Sequence, residues 1–146
     1  MRSLVDSNVL VANFDESHIH HGSSYEFLEA IADDRIIISA HSLSEAFNKL
    51  TRGVPTIAFP ATQVLAALRD LRLRCAVHAL TVEQTLSAIA EFARIGGRGP
   101  RLYDFLIGQV AVLHGANCIV TWNVRDMAPL FPTLTVVAPS DFFGVV

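Results

Sequence analysis

Short runs of consecutive apolar residues alternate along this chain with longer stretches of helical periodicity. Leu4-Val5 before Asp6, Ile36-Ile37-Ile38 after Arg35, and Cys118-Ile119-Val120 are rich in β-branched residues and flanked by polar or turn residues. Apolar character on successive rather than alternate positions suits parallel strands covered on both faces. Between the runs, Tyr25, Phe27, Leu28 and Ile31 form one apolar helical face, and Leu43, Ala46, Phe47 and Leu50 form another. The segment from Pro60 to Leu73 puts proline at a helix start and turns Val64, Leu65, Leu68 and Leu71 inward. Thr81-Val82-Glu83-Gln84 has the form of a capping box ahead of a helix through Leu86, Ile89, Ala90 and Phe92. Leu134-Thr135-Val136-Val137 reads as an edge strand. Strands alternating with helices predict an α/β fold, a three-layer α/β/α sandwich around a central parallel sheet. Gly96-Gly97-Arg98-Gly99-Pro100 reads as a loop inside one domain spanning residues 1–146.

Composition narrows the classes. With 51% hydrophobic and 17% charged residues the chain can bury a sizeable core. A net charge of −3 excludes the cationic surplus of a histone-like or polybasic membrane protein. Phe105 to Val124 carries no charged residue and is long enough to span a bilayer, but Gln109, His114, Gly115 and Asn117 interrupt it. The reading is a buried helix followed by a buried strand, with no membrane partner. Asp6 interrupts the N-terminal stretch before a signal-peptide core is complete. Cys75 and Cys118, each in an apolar stretch without a ligand at metal spacing, read as buried thiols, and the expected location is cytoplasmic.

In open α/β sheets, ligands bind at the carboxyl ends of strands. The residues expected there are acidic: Asp6 ends the first strand, Glu45 lies in the first turn of the helix after Ile36-Ile37-Ile38, Asp104 opens the helix from Phe105, and Asp126 follows Cys118 to Thr121. Each alone is explained by helix capping, and Ser42-Leu43-Ser44-Glu45 itself has a capping-box pattern. Against that, the four adjoin the most apolar segments, where an unpaired carboxylate is expensive to desolvate. A cluster of such acids is a hard, oxygen-rich site suited to Mg²⁺ or Mn²⁺ rather than zinc. That chemistry activates water and stabilises charge on a phosphodiester.

Val5-Asp6-Ser7-Asn8-Val9-Leu10, Ser44-Glu45, Arg101-Leu102-Tyr103-Asp104-Phe105-Leu106-Ile107-Gly108 and Ile119-Val120-Thr121-Trp122-Asn123-Val124-Arg125-Asp126 together resemble the four motifs of PIN-domain ribonucleases. The ordered set is closest in kind to the VapC toxins of bacterial VapBC toxin–antitoxin pairs. The resemblance implies a Mg- or Mn-dependent endoribonuclease with Asp6, Glu45 and Asp104 as its carboxylate core and Asp126 as the fourth, outer acid. It implies that Asn8, Thr121 and Asn123 orient the ligands by hydrogen bonds. It further implies an RNA substrate, a homodimer and a cognate antitoxin whose segment plugs the acidic pocket.

Other features carry less. His18-Ile19-His20-His21 lacks a cysteine partner and reads as a solvated turn with a structural contact. Arg94, Arg98 and Arg101 form a small basic patch beside Asp104, either a grip for RNA phosphates or a solvated loop. Trp122 either touches RNA or packs. Ile57, Phe59, Phe131 and Phe142-Phe143-Gly144-Val145-Val146 offer apolar surface for association or, more simply, core. A receiver or phosphatase domain would need paired acids at the first strand and a lysine near the last, whereas this chain has only Lys49, on a mid-chain helix. A non-catalytic PIN-like binding module is the remaining alternative, with the acids as caps.

Overall fold

The computed structural model describes residues 1–53 and 57–145. Five parallel strands, β1 (Ser3–Val5), β2 (Ile36–Ser39), β3 (Ala76–His78), β4 (Cys118–Val120) and β5 (Thr135–Val137), form one sheet in the order β3-β2-β1-β4-β5. Leu4 pairs with Ile37 on one side and Ile119 on the other, so β1 is central. The chain builds outward from β1 through β2 to β3. It then crosses back to lay β4 on the other edge of β1. The reversal of direction between β1 and β4 opens a crevice at their carboxyl ends.

Alternation of side chains across the pleat fills both faces. Leu4, Ile37 and Ile119 point to one side, where they join Phe92 of α5 (Val82–Arg94), Phe105, Ile107 and Val110 of α6 (Arg101–Leu113) and Met127 of α7 (Val124–Met127). Val5, Ile38 and Val120 point to the other, against Val9 and Leu10 of α1 (Ser7–Phe14), Phe27 of α2 (His21–Ala30) and Ala46 of α3 (Ala40–Arg52). The result is the expected three-layer sandwich. Two further helices, α4 (Ala61–Arg74) and the short α8 (Phe142–Val145), complete the second layer. At Thr81 the capping box forms as read, the hydroxyl accepting from the Gln84 amide at 3.1 Å and the Gln84 side chain accepting in return at 2.9 Å.

The structure departs from the sequence reading at several points. The segment after Asp6 is a helix, α1, hidden from periodicity because it is only eight residues long and opens on two polar residues. Strand β3 goes beyond the sequence reading, since Ala76-Val77-His78 is a short, half-buried edge strand whose apolar stretch ends at His78. Helix α3 begins at Ala40, directly after β2, so Glu45 stands in its second turn and not its first. The Ser42–Glu45 capping box is therefore absent, and the buried Ser42 hydroxyl has no partner among the described residues. Helix α6 begins at Arg101, ahead of Asp104, because Gly99 turns the chain at φ +65° and Pro100 precedes the first turn. Of the candidate association residues, Phe131 and Phe142 are core, Phe59 packs edge-on against Phe14, and Ile57 and Phe143 are exposed. Val146 lies outside the described residues. No helix among the described residues is long and apolar enough to cross a membrane.

Candidate active site

Asp6 leaves β1 in extended conformation and caps α1, its Oδ1 accepting from the Ser7 amide at 2.7 Å. Its other oxygen accepts from the Thr121 hydroxyl at 2.7 Å and from Asn8 Nδ2 at 3.1 Å. Asn8 Nδ2 also lies 3.0 Å from Thr121 Oγ1, which accepts the backbone N–H of Asn123 at 3.0 Å. Asn8 and Thr121 are thus both hydrogen-bonded to Asp6, and Asn123 reaches the same Thr121 hydroxyl through its backbone N–H. Asp6 is only 4% exposed. Burial pushes its pKa up; the Thr121 and Ser7 hydrogen bonds and the Lys49 charge act against that, while Glu45 adds to it.

Glu45 projects from α3 toward the same place. One oxygen accepts from the Ser7 hydroxyl at 2.8 Å, and the other lies 2.9 Å from His41 Nε2. Asp104, in the first turn of α6, is half-buried, and its pKa is raised by burial first and then by the negative charges of Asp6, Glu45 and Asp126. Asp126 is exposed on α7, where Arg101 Nη2 donates to its backbone carbonyl at 2.8 Å. The acids therefore share one electrostatic neighbourhood although they come from four segments.

Ser7 and His41 hold the two oxygens of Glu45, and sequence reading assigned neither. The i, i+4 spacing of His41 and Glu45 was visible; the meeting of Ser7 with Glu45 depends on how α1 packs on α3. Among the described residues, no three His, Cys, Asp or Glu side chains close around a single ion as they stand. The chemistry of the set nevertheless fits a hard divalent cation. It offers carboxylate oxygens only, one carboxylate is buried, and the pKa values of Asp6 and Asp104 are raised by burial and then by neighbouring acids.

The three candidate arginines share one cavity, and Arg101 also stands close enough to Asp104 for its charge to lower that residue's pKa. Arg94, Arg98 and Arg101 line a cavity of about 760 Å³ that runs along α6 past Phe92, Phe105 and Phe131. Arg94 is engaged by Glu91 at 2.7 Å, and Arg98 is exposed. The histidine turn makes structural contacts as read: His18 Nδ1 accepts the His20 amide at 3.1 Å, and His21 Nδ1 lies 2.9 Å from the Ala12 carbonyl. His20 stacks on Trp122.

Solved structures share this fold. The Mycobacterium tuberculosis toxin VapC20, described as cleaving the sarcin-ricin loop, superposes with a TM-score of 0.70 at 18% identity, over 87% of this chain and 94% of that one. VapBC2 from Rickettsia felis, solved bound to a promoter DNA fragment, gives 0.65 at 20% identity over 93% and 97%. A toxin–antitoxin complex from Klebsiella pneumoniae gives 0.67 at 20% identity over 94% and 97%. No curated protein matches the chain in sequence. The family model for the PIN domain matches residues 3–125, a span that takes in Asp6, Glu45 and Asp104 and stops just short of Asp126. With strand order, the acid-lined crevice and this match in agreement, the chain belongs to the PIN domain family.

Proposed function

We propose that residues 1–146 are a single PIN domain acting as a divalent-metal-dependent endoribonuclease of the VapC toxin kind. The observation that carries this reading is the Asp6 carboxylate, buried at the switch point of the sheet, with its pKa and that of Asp104 both raised, by burial first and then by the neighbouring acids. Asp6, Glu45 and Asp104, with Asp126 on the outer side, would hold Mg²⁺ or Mn²⁺. When bound, such an ion supplies Lewis acidity toward a water and the scissile phosphate.

The protein's own residues perform the positioning. Thr121 and Asn8 fix the oxygen of Asp6 that faces β4. Ser7 and His41 hold the two oxygens of Glu45 and so orient that carboxylate. The toxin–antitoxin complexes of Rickettsia felis and Klebsiella pneumoniae support a cognate antitoxin as partner. A homodimer and a cytoplasmic setting belong to the same reading.

The test compares wild type with Asp6→Asn and Asp104→Asn for manganese binding by calorimetry and for cleavage of a structured RNA, with EDTA as control. Loss of both binding and cleavage in folded variants is expected. Retained cleavage in both variants, or cleavage indifferent to EDTA, rejects the mechanism and leaves a PIN fold used for binding alone.

A further inference from the structure

The cavity of about 760 Å³ between the end of α5, α6 and the chain from Pro129 to Thr133 is lined by none of the four candidate ligand acids. Its size is that of a site for one small ligand. The floor is apolar and fixed. The Phe105 ring lies 5.4 Å from those of both Phe92 and Phe131, centroid to centroid. The backbone presses on this floor directly: a Cβ on Gly97 would overlap the Phe92 ring, and one on Gly108 the Phe131 ring. Ile95 and Val112, 47% and 49% exposed, carry the apolar surface up the walls, and core packing leaves them uncovered.

The remaining lining is cationic. Arg94, Arg98 and Arg101 stand against a single acid, Glu91, and Arg94 already holds that acid at 2.7 Å. Arg101 is oriented by its bond to the neutral Asp126 carbonyl, and Arg98 makes no hydrogen bond or ion pair with another described residue. Two guanidinium charges are therefore left uncompensated in a chain whose net charge is −3. Gln109, half-buried in the same wall, has an amide with no hydrogen-bond partner among the described residues. A bare anion would satisfy the arginines and leave the apolar floor uncovered; a neutral apolar molecule would do the reverse. The lining calls for both parts in one ligand, a flat apolar body and an anionic group. Guanidinium forks match phosphate oxygens, and a side-chain amide matches the mixed donor and acceptor edge of a base.

We propose that this cavity binds a nucleoside monophosphate unit, with the base over the phenylalanine floor beside Gln109 and the phosphate at Arg98 and Arg101. The unit is a free mononucleotide or the phosphorylated end of a nucleic-acid chain; the chemistry recognised is the same. The inference stands apart from the ribonuclease reading, because it needs neither the acids nor a metal.

The experiment reads binding in EDTA, where no metal can bridge a phosphate to the acids. Full-length protein is titrated with each common ribonucleoside monophosphate, with the parent nucleosides, with inorganic phosphate, and with an oligoribonucleotide carrying the same nucleotide phosphorylated at its end. NMR of the arginine Nε–H groups and of the Gln109 side-chain amide reports occupancy. At least one monophosphate shifts the Arg98, Arg101 and Gln109 signals together and binds more tightly than its nucleoside or phosphate alone. Arg98→Ala, in an exposed loop outside the core, weakens that binding by about 10- to 100-fold, the loss of charged hydrogen bonds; Arg98→Lys, which keeps the charge without the fork, recovers part of it. Tighter binding of the oligoribonucleotide identifies the chain end as the source, and equal or weaker binding identifies the free nucleotide; both uphold the site. No shift with any monophosphate, phosphate alone binding as tightly as the nucleotide, Arg98→Ala binding like wild type, or a glutamate- and phenylalanine-containing peptide binding as tightly overturns the proposal.

Discussion

The Thr121 hydroxyl donates to Asp6 Oδ2 at 2.7 Å across a separation of 115 residues. The same oxygen of Thr121 receives Asn8 Nδ2 and the Asn123 amide, so one hydroxyl links β1, α1 and the turn after β4. Thr121→Val preserves shape and removes every one of these bonds. Unfolding in urea should show a loss of about 1–3 kcal/mol, the cost of leaving buried polar groups unsatisfied. The Asp6 pKa, followed by carboxyl NMR, should rise further, because this hydrogen bond holds it down. Thr121→Ser keeps the hydroxyl and should behave close to wild type. A Val variant as stable as wild type would mean that the network contributes nothing.

Asp104 makes the metal-free protein less stable as pH rises. Its folded pKa lies above the ordinary aspartate value, through burial and then the neighbouring acids. A raised folded pKa means the native state binds the proton more tightly than the unfolded one. The stabilisation is complete below the unfolded value and disappears as pH climbs through the folded one. In EDTA, Asp104→Asn should therefore have a higher Tm than wild type at neutral pH, with the difference shrinking as pH falls toward 4. Added manganese should reverse the order. A wild type more stable than the variant in EDTA at pH 7 would contradict this.

Two glycines should respond in opposite ways to alanine. A Cβ on Gly108 of α6 would run into the ring of Phe131, which is stacked on Phe105 at 5.4 Å. Overpacking of that kind costs about 1–3 kcal/mol and outweighs the gain of about 1 kcal/mol in helix propensity. Gly22 of α2 meets nothing within 4 Å and has an ordinary helical φ. Gly22→Ala should stabilise by about 0.5–1 kcal/mol. Thermal melts of the two variants read both signs directly.

Both cysteines should be silent toward thiol reagents while the protein is folded. Burial lifts the Cys118 thiol to about 11 against an opposing contribution from Ser3, and raises that of Cys75 as well. At pH 8 the thiolate population is then minor and the sulfurs are covered. Reaction with Ellman's reagent should begin only at the urea concentrations that unfold the sheet. Fast labelling in buffer would show that β4 opens.

The parts of this molecule that sequence made legible are those whose physics is local. Ile36-Ile37-Ile38 and Cys118-Ile119-Val120 can only be strands covered on both faces, and Thr81 with Gln84 can cap a helix without help from elsewhere. The acids were legible because burial beside such segments is costly for a carboxylate, and Asn8 and Thr121 because of the ordered motif they belong to. What stayed hidden depends on distant segments meeting. Ser7 reaches Glu45 only because α1 lies on α3, and β3 pairs as a strand although its residues have no strong preference. Even Glu45's place in α3 was misjudged, because Ser39 and not Ser42 precedes the first turn.

Strand order also sets a timetable for synthesis. Asp6, Glu45 and Asp104 all emerge from the ribosome before Cys118, yet β1 has an open edge until β4 inserts beside it, and the hydroxyl that holds Asp6 arrives directly behind that insertion. Until then a nascent chain carries the acids without the geometry. On the nuclease reading, the hydroxyl that holds Asp6 joins the site only when β4, the second neighbour of β1, is in place.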